Sequence, residues 1–234
     1  MPRTQRVFTV NRLLDALPRS DLRRLRSGCD AVELALADVL SVPGELLTHV
    51  YFPMSCFISL IVPVGRSGSL EVGLVGNEGM FGIPLALGVN FTPVRAVVQG
   101  AGSALRMDAA RFRRNLARSP ALERKLDRYI FVLLGQLAQT AACTRFHRVE
   151  ARLARWLLMT QDRAHADTFY VTQAFMASML GVRRVGVTKA ASALQERNLI
   201  HYRRGVVTVL DRRGLTAASC ACYQADRDTY DRIL

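Results

Sequence analysis

The 234-residue chain is short of acidic residues, aromatics and long apolar runs, and each shortage excludes a class of protein. Asp and Glu number 19 against 32 Lys and Arg, which leaves a formal charge of +13. That imbalance points to a polyanionic partner, either nucleic acid or an anionic membrane surface. Aromatics make up 7% of the chain, with one Trp. They are too few for the stacking platforms that read single-stranded RNA, and Phe146, Trp156 and Phe175 stand where core residues are expected. The longest strong apolar run, FISLIVPV, is far too short to span a bilayer. The first 28 residues are broken by charges every few positions and lack the apolar core of a secretory signal. No exposed apolar helix face is left over for membrane docking. Five scattered cysteines, Cys29, Cys56, Cys143, Cys220 and Cys222, read as reduced thiols of a cytoplasmic protein.

Catalytic signatures are missing as well. There is no nucleophile spaced to a base and no phosphate-cradling loop. The segments GRSGS and GAGS read as turn glycines, because no βαβ pattern surrounds them. An enzyme is not expected, nor a cofactor or a metal site. Cys220 and Cys222 form the one close thiol pair, but C-x-C alone is a weak signal, and it falls in a tail expected to be loosely ordered. His49, His147, His165 and His201 show no ligand spacing, and His147 reads as the start of a helix.

What is present divides into three textures. Residues 11–27 space Leu13, Leu14, Leu17, Leu22 and Leu25 as a short helical lead-in interrupted at Pro18. From about Ala31 to Met107 the chain breaks into HVYFP, CFISLIVPV, LEVGLVG and RAVVQGAGSALRM. Turn signals punctuate it at Pro43-Gly44, Gly65 to Gly68, Gly76-Asn77 and Gly79. Many short strands at this spacing predict an all-β barrel or sandwich. Ser119 and Pro120 then open a long helix as N-cap and first residue. Along it Leu126, Ile130, Leu133, Leu137 and Thr140 alternate at spacings of four and three, as in a coiled-coil seam between two copies. The same stripe could instead pack on the chain's own β domain, and Tyr129, Leu134 and Ala138 supply a second apolar edge.

The third texture is basic. Phe146 to Leu215 holds twelve Lys/Arg against five Asp/Glu, so over half of the excess charge lies in under a third of the chain. HRVEARLARWLLMTQDR reads as amphipathic, with Val149, Leu153, Trp156 and Leu157 on one face and Arg148, Arg152 and Arg155 on another. Thr172 is a plausible N-cap for Gln173–Leu180, and Gly181 suits the positive φ of a tight turn between crossing helices. A helix over Arg183–Arg197 clusters Val187, Ala190 and Leu194 inward, with Ala191 at the edge. Arg184, Val185, Thr188, Lys189 and Ser192 fan across the opposite face. LIHYRRGVVTVLD predicts a hairpin turning at Arg204-Gly205. Helix, turn, helix and hairpin follow in order within about forty residues, the order of a winged helix-turn-helix.

The stretch TQAFMASMLGVRRVGVTKAASALQERNLIHYRRGVVTVLDRRGL resembles the DNA-binding end of the Crp/Fnr (catabolite-activator and fumarate-nitrate regulator) family of bacterial transcription factors. The MLGVRR turn, the L-Q-x-x-x-L-I exit and the glycine-tipped wing carry the resemblance, and the upstream order matches. It implies an α+β chain: an N-terminal β-roll of the cyclic-nucleotide-binding jelly-roll type over 11–118, a dimerisation helix over 119–145 and a winged helix-turn-helix over 146–234. It further implies a homodimer on near-palindromic double-stranded DNA, with RNA polymerase as a further partner. Thr172, Gln173, Arg183, Arg184, Val185, Thr188 and Lys189 become candidate DNA contacts. Arg203 and Arg204 become candidate phosphate contacts of the wing. Leu126, Ile130, Leu133 and Leu137 become the dimer seam.

In that family the roll can hold a cyclic nucleotide through an F-G-E cassette, a short helix and an R-S/T-A motif. Here the matching residues are Gly79, Phe81, Gly82, Ile83, Pro84, Arg95 and Ala96. Phe81-Gly82 fits, but Ile83 stands at the glutamate position and Arg95 is one place off the usual spacing. An isoleucine cannot accept from a ribose hydroxyl, and burying that hydroxyl unpaired costs about 1–3 kcal/mol. Cyclic AMP is therefore not expected to bind, and the effector is unidentified. Arg95 is the candidate for an anionic effector or else a plain surface arginine, and Glu71 and Glu78 are candidate displaced acceptors. The alternative to a sequence-specific regulator is a small-molecule or anion-sensing module with non-specific nucleic-acid binding.

Overall fold

The computed structural model describes residues 10–65 and 68–234. Positions 1–9 of the N-terminal stretch, and Arg66 and Ser67 of the Gly65–Gly68 turn, lie outside them. Two short helices open the described chain, α1 (Arg12–Asp15) and α2 (Arg19–Arg26), with Pro18 as the N-cap of the second. Asn11 caps α1 and also donates through Nδ2 to the carbonyls of Pro53 and Gly79, both at 2.9 Å, tying the lead-in to the sheets.

The punctuated segments form strands β1 (Asp30–Leu34), β2 (Val39–Ser41), β3 (His49–Pro53), β4 (Phe57–Val64) and β5 (Gly68–Val75). The one-turn helix α3 (Ile83–Ala86) follows, then β6 (Arg95–Gly100) and β7 (Gly102–Asp108). They build two antiparallel sheets, ordered β1-β7-β3 and β2-β6-β4-β5. One core, containing Val50, Phe52, Ile58, Val75, Met80, Phe81 and Ala96, is completed by Leu122, Leu126 and Tyr129 of the long helix that follows.

That helix comes after α4 (Ala109–Leu116). It is α5 (Pro120–Phe146), whose N-cap Ser119 accepts from the Leu122 amide. The C-terminal part comprises α6 (Val149–Ala164), β8 (Thr168–Tyr170), α7 (Gln173–Leu180), α8 (Arg184–Glu196), β9 (Ile200–Arg203), β10 (Val206–Val209), α9 (Arg212–Ala218) and α10 (Cys222–Ile233). Its sheet is ordered β8-β10-β9. The expected α+β architecture, a sheet domain, a long helix and a C-terminal helix-turn-helix, is borne out. No helix among the described residues is long and apolar enough to cross a membrane.

Three expectations need correcting. Arg152 and Arg155 do not form a solvated face of α6, because both are buried, as are Thr160, Gln161 and Arg163. The roll, α5 and α10 cover the side of α6 that α7, α8 and α9 leave free. The tail is not loose either, since α10 buries Cys222, Tyr223 and Asp226 against α5 and α6. Phe146, expected in the core, is 76% exposed at the end of α5.

Buried polar groups on α6 need partners, and the roll and α10 supply several of them. Arg163 pairs with Glu78 at 2.7 Å. Trp156 Nε1 donates to Glu71 Oε1 at 2.8 Å. Arg155 pairs with Asp226 of α10 at 2.6 Å. Ser59, with one hydroxyl proton, faces two acceptors, Glu71 Oε2 and Gln99 Oε1. The set closes when Glu71 carries a proton. Glu71 then donates to Ser59, Ser59 to Gln99, and Gln99 Nε2 to Thr160 Oγ1 of α6 at 3.4 Å. Burial pushes the Glu71 carboxyl up to about 7, against the hydrogen bonds from Ser59 and Trp156 that favour its ionised form.

A carboxyl raised in the folded state is neutral at no cost below its unfolded pKa, and ionising it weakens the fold as pH climbs towards the folded value. Stability should therefore fall between pH 4.5 and about 7. Glu71→Gln, which keeps an acceptor for Trp156, should flatten that decline. Thermal melts at pH 8 should show the variant more stable, by at most about 3 kcal/mol, with the gain gone below pH 4.5. An unchanged or lower melting temperature at pH 8 would reject the neutral-Glu71 arrangement.

Candidate nucleic-acid interface

The helix-turn-helix is built as its residues dictate. Thr172 caps α7 by accepting from the Phe175 amide at 3.1 Å. Gly181 ends α7 in the left-handed region at φ 61°. Val187, Ala190, Ala191 and Leu194 are all at most 5% exposed and seat α8 on α6 and α7. The small alanines allow that close approach.

The opposite face of α8 is free. Arg183, its N-cap, and Arg184, its first residue, are exposed, as are Val185, Thr188, Lys189 and Ser192. Thr188 donates to Gln173 Oε1 at 2.9 Å, which joins the first turn of α7 to the recognition face. No side chain caps the N-terminus of α8, and its first turn holds no acidic residue. Cations at that end oppose the helix dipole, so two arginines there are a local inconsistency that an anionic partner would relieve.

The hairpin of β9 and β10 turns through Arg204 (φ 50°) and Gly205 (φ 82°). Two consecutive positive φ values mark the tight turn that suits strand twist. Arg203 and Arg204 are exposed at this tip. The hairpin flanks α8, with Tyr202 N donating to Gln195 Oε1 at 2.7 Å. Strand β8, unforeseen in the sequence, extends the wing by pairing with β10.

The first helix of the pair leans on the roll. α7 packs on β5, and Ser69 Oγ bonds Ser178 Oγ. A Cβ added at Gly181 would lie 3.1 Å from Leu70 Cδ1.

The effector-pocket residues lie inside the roll but leave little room. Phe81 and Ala96 are buried in the core, Ile83 and Pro84 open α3, and Gly82 precedes them at φ 106°. Tyr129 of α5 lies so close to Gly79 that any side chain at Gly79 would collide with it. Arg95 is exposed at the start of β6. Glu71 and Glu78 are both committed to α6.

On α5, Leu126 is 1% exposed and Leu133 leans on the same core. The apolar stripe left open keeps two of the four expected residues, Leu137 at 43% exposed and Ile130 half-buried, and adds Phe131 at 59% and Leu134 at 60%. In the sequence only Cys220 and Cys222 stand close together among the thiols, and His147 reads as a helix start. Folding gathers Cys143, His147, Cys220 and Cys222, and His147 is the C-cap of α5 rather than a helix start.

Residues 151–218 match the family model of the Crp-like helix-turn-helix domain. This part of the chain is a Crp-like helix-turn-helix domain. The resemblance to the Crp/Fnr family holds for the rest as a shared fold. The c-di-GMP-responsive global regulator CLP of Xanthomonas campestris aligns with 82% of this chain and 99% of its own, at 17% identity and TM-score 0.68. FixK2 of Bradyrhizobium japonicum aligns with 82% of this chain and 98% of its own, at 14% identity and TM-score 0.70. A Crp/Fnr-family transcriptional regulator of Thermus thermophilus aligns with 81% of this chain and 98% of its own, at 20% identity and TM-score 0.64. No curated protein sequence matches the chain.

Two glycines of the Crp-like domain should respond to the same substitution with opposite sign. Gly181→Ala forces a left-handed residue with a Cβ against Leu70 and should lower stability by about 1 kcal/mol or more. A Cβ at Gly186, in the first turn of α8, meets nothing within 4 Å. Gly186→Ala should hold or raise stability by up to about 1 kcal/mol. Denaturant titrations of both check this, and equal effects would contradict it.

Proposed function

We propose that the chain is a sequence-specific, homodimeric DNA-binding transcription regulator of the Crp/Fnr type, acting in the cytoplasm and not as an enzyme. One observation carries the reading: α8 buries Val187, Ala190 and Leu194 and leaves Arg183, Arg184, Val185, Thr188 and Lys189 exposed at an uncapped N-terminus. The N-terminal residues of a recognition helix meet base edges in the major groove. An arginine there can bind guanine through two parallel hydrogen bonds. Thr172 and Gln173 lie at the start of α7, where the first helix crosses the backbone. Arg203 and Arg204 at the wing tip are suited to phosphate.

The dimer seam is assigned to the free face of α5, around Phe131, Leu134 and Leu137 with Ile130 beside them. Ile130, Leu134 and Leu137 fall at spacings of four and three, those of a two-helix seam, with Phe131 at its edge. It places two recognition helices on half-sites about one helical turn apart. Cyclic AMP is not expected as the effector. Ile83 offers no acceptor, Glu71 and Glu78 are occupied, and Tyr129 packs against Gly79. A signal would act by shifting a population between two dimer geometries, through the joint between the roll and α6.

Selection of genomic fragments by the purified protein, followed by sequencing, tests the reading. A near-palindromic motif is expected, and salt-sensitive binding without a motif would favour a non-specific role. Arg184→Ala should relax one base position in each half-site by about 1–3 kcal/mol, whereas Arg203→Ala should weaken all DNA alike. Leu134→Asp should give monomers in sedimentation, and a persistent dimer would move the seam elsewhere.

A further inference from the structure

Two pairs of potential ligands, far apart in sequence, converge where α5 ends and α10 begins. Cys143 and His147 are one helical turn apart at the end of α5, and Cys220 and Cys222 flank Ala221, the N-cap of α10. The three thiols are buried, and Cys143, Cys220 and Cys222 form a small cluster of their own beside Ala151. One ligand atom from each of the four residues lies within 4.8 Å of all the others. Cys143 Sγ and Cys220 Sγ are 3.5 Å apart, and Cys222 Sγ lies 3.4 Å from His147 Nδ1.

These separations fit a single ion. Zinc bonds of about 2.3 Å to sulfur and about 2.0 Å to imidazole nitrogen give tetrahedral edges of about 3.8 Å between sulfurs and about 3.5 Å between sulfur and nitrogen, within a few tenths of an ångström of these distances. An iron–sulfur cluster sets several atoms between its cysteines and needs a wider cage. A disulfide closes at about 2.05 Å and would leave His147 and one thiol outside it.

The surroundings are those of a thiolate site. Gln139 Nε2 donates to Cys222 Sγ at 2.9 Å, the kind of outer hydrogen bond that orients a metal-bound sulfur. Arg152 and Arg155 line the same small cavity as Cys143. Arg155 is paired with Asp226, but Arg152 is 8% exposed and has no carboxylate partner among the described residues. A buried cation without a counter-charge is costly. Three thiolates, one neutral imidazole and one divalent ion carry a net charge of about −1, which would balance it.

We infer that Cys143, His147, Cys220 and Cys222 form a closed tetrahedral site for one zinc ion per chain, which fastens α10 to the end of the long helix α5. Soft thiolate and imidazole ligands with no open position are the pattern of structural zinc. On binding, the thiols release their protons to solvent and no electron is transferred.

The test uses the full chain, purified in reductant without chelator from zinc-supplied cells, and metal content measured by mass spectrometry. About one zinc per chain is expected. Cys220→Ser and Cys222→Ser should each retain at least about tenfold less, while a Cys29→Ser, Cys56→Ser double variant should match the wild type. Cobalt replacement of the wild-type ion should give the thiolate charge-transfer band and the strong visible bands of tetrahedral coordination. His147→Ala should alter the visible bands. Zinc removal should lower the melting temperature of the wild type and leave that of Cys222→Ser unmoved. A wild-type chain that takes up neither zinc nor cobalt in reductant would overturn the site, as would uptake unaffected by Cys222→Ser. A Cys143–Cys220 disulfide found in place of the ion would do the same.

Discussion

Helix α6 carries three buried arginines through the middle of the molecule, and the rest of the structure is arranged around compensating them. Arg163 draws Glu78 from the roll, Arg155 draws Asp226 from α10, and Arg152 donates to the Leu180 carbonyl at the end of α7. Removing one partner of such a pair leaves a charge in a low-dielectric interior, which is far more damaging than losing a surface contact. These contacts therefore set the orientation of the DNA-binding helices relative to the roll, although each is polar. The apolar core of the C-terminal part, from Leu153 to Leu215, supplies most of the burial but is less selective about direction.

The joint between roll and winged helix has a mixed character. On one side lie Trp156, Glu71, Ser59, Gln99 and Thr160, a hydrogen-bonded chain whose sense depends on one proton. On the other lies the packing of α7 on β5, through Ser69, Leu70 and Gly181. Polar chains have discrete arrangements and change by switching partners, whereas packed leucines resist small shifts. A signal reaching β4, β5 or β6 therefore has a short physical route to α6.

Much of this was legible in the sequence, for identifiable reasons. HVYFP became β3 without change, and RAVVQGAGSALRM became β6 and β7, because Gly and Pro punctuate the chain at its real turns. The inward face of α8 followed from period alone, since Val187, Ala190 and Leu194 have no rival set. The errors arose where a helix is covered on more than one side. Arginines on α6 look like a solvated face until α10 and the roll are in place. On α5 two leucine stripes run side by side, and periodicity does not say which one the roll will take. Short edge strands such as β2 and β8 lack enough residues to show alternation. The gathering of Cys143 with Cys220 joins positions 77 residues apart, and no local pattern encodes it.

That last contact has a consequence for how the molecule is put together. The backbone leaves the end of α5 near Cys143, makes the entire winged domain, and returns to the same point at Cys220 before running back along α5 as α10. The DNA-reading part is thus an insertion with adjoining ends, set into a helical hairpin made of α5 and α10. A segment of that design can be exchanged for another with neighbouring termini while the hairpin beneath it keeps its shape. Changes within that segment would then leave the free apolar face of α5 untouched.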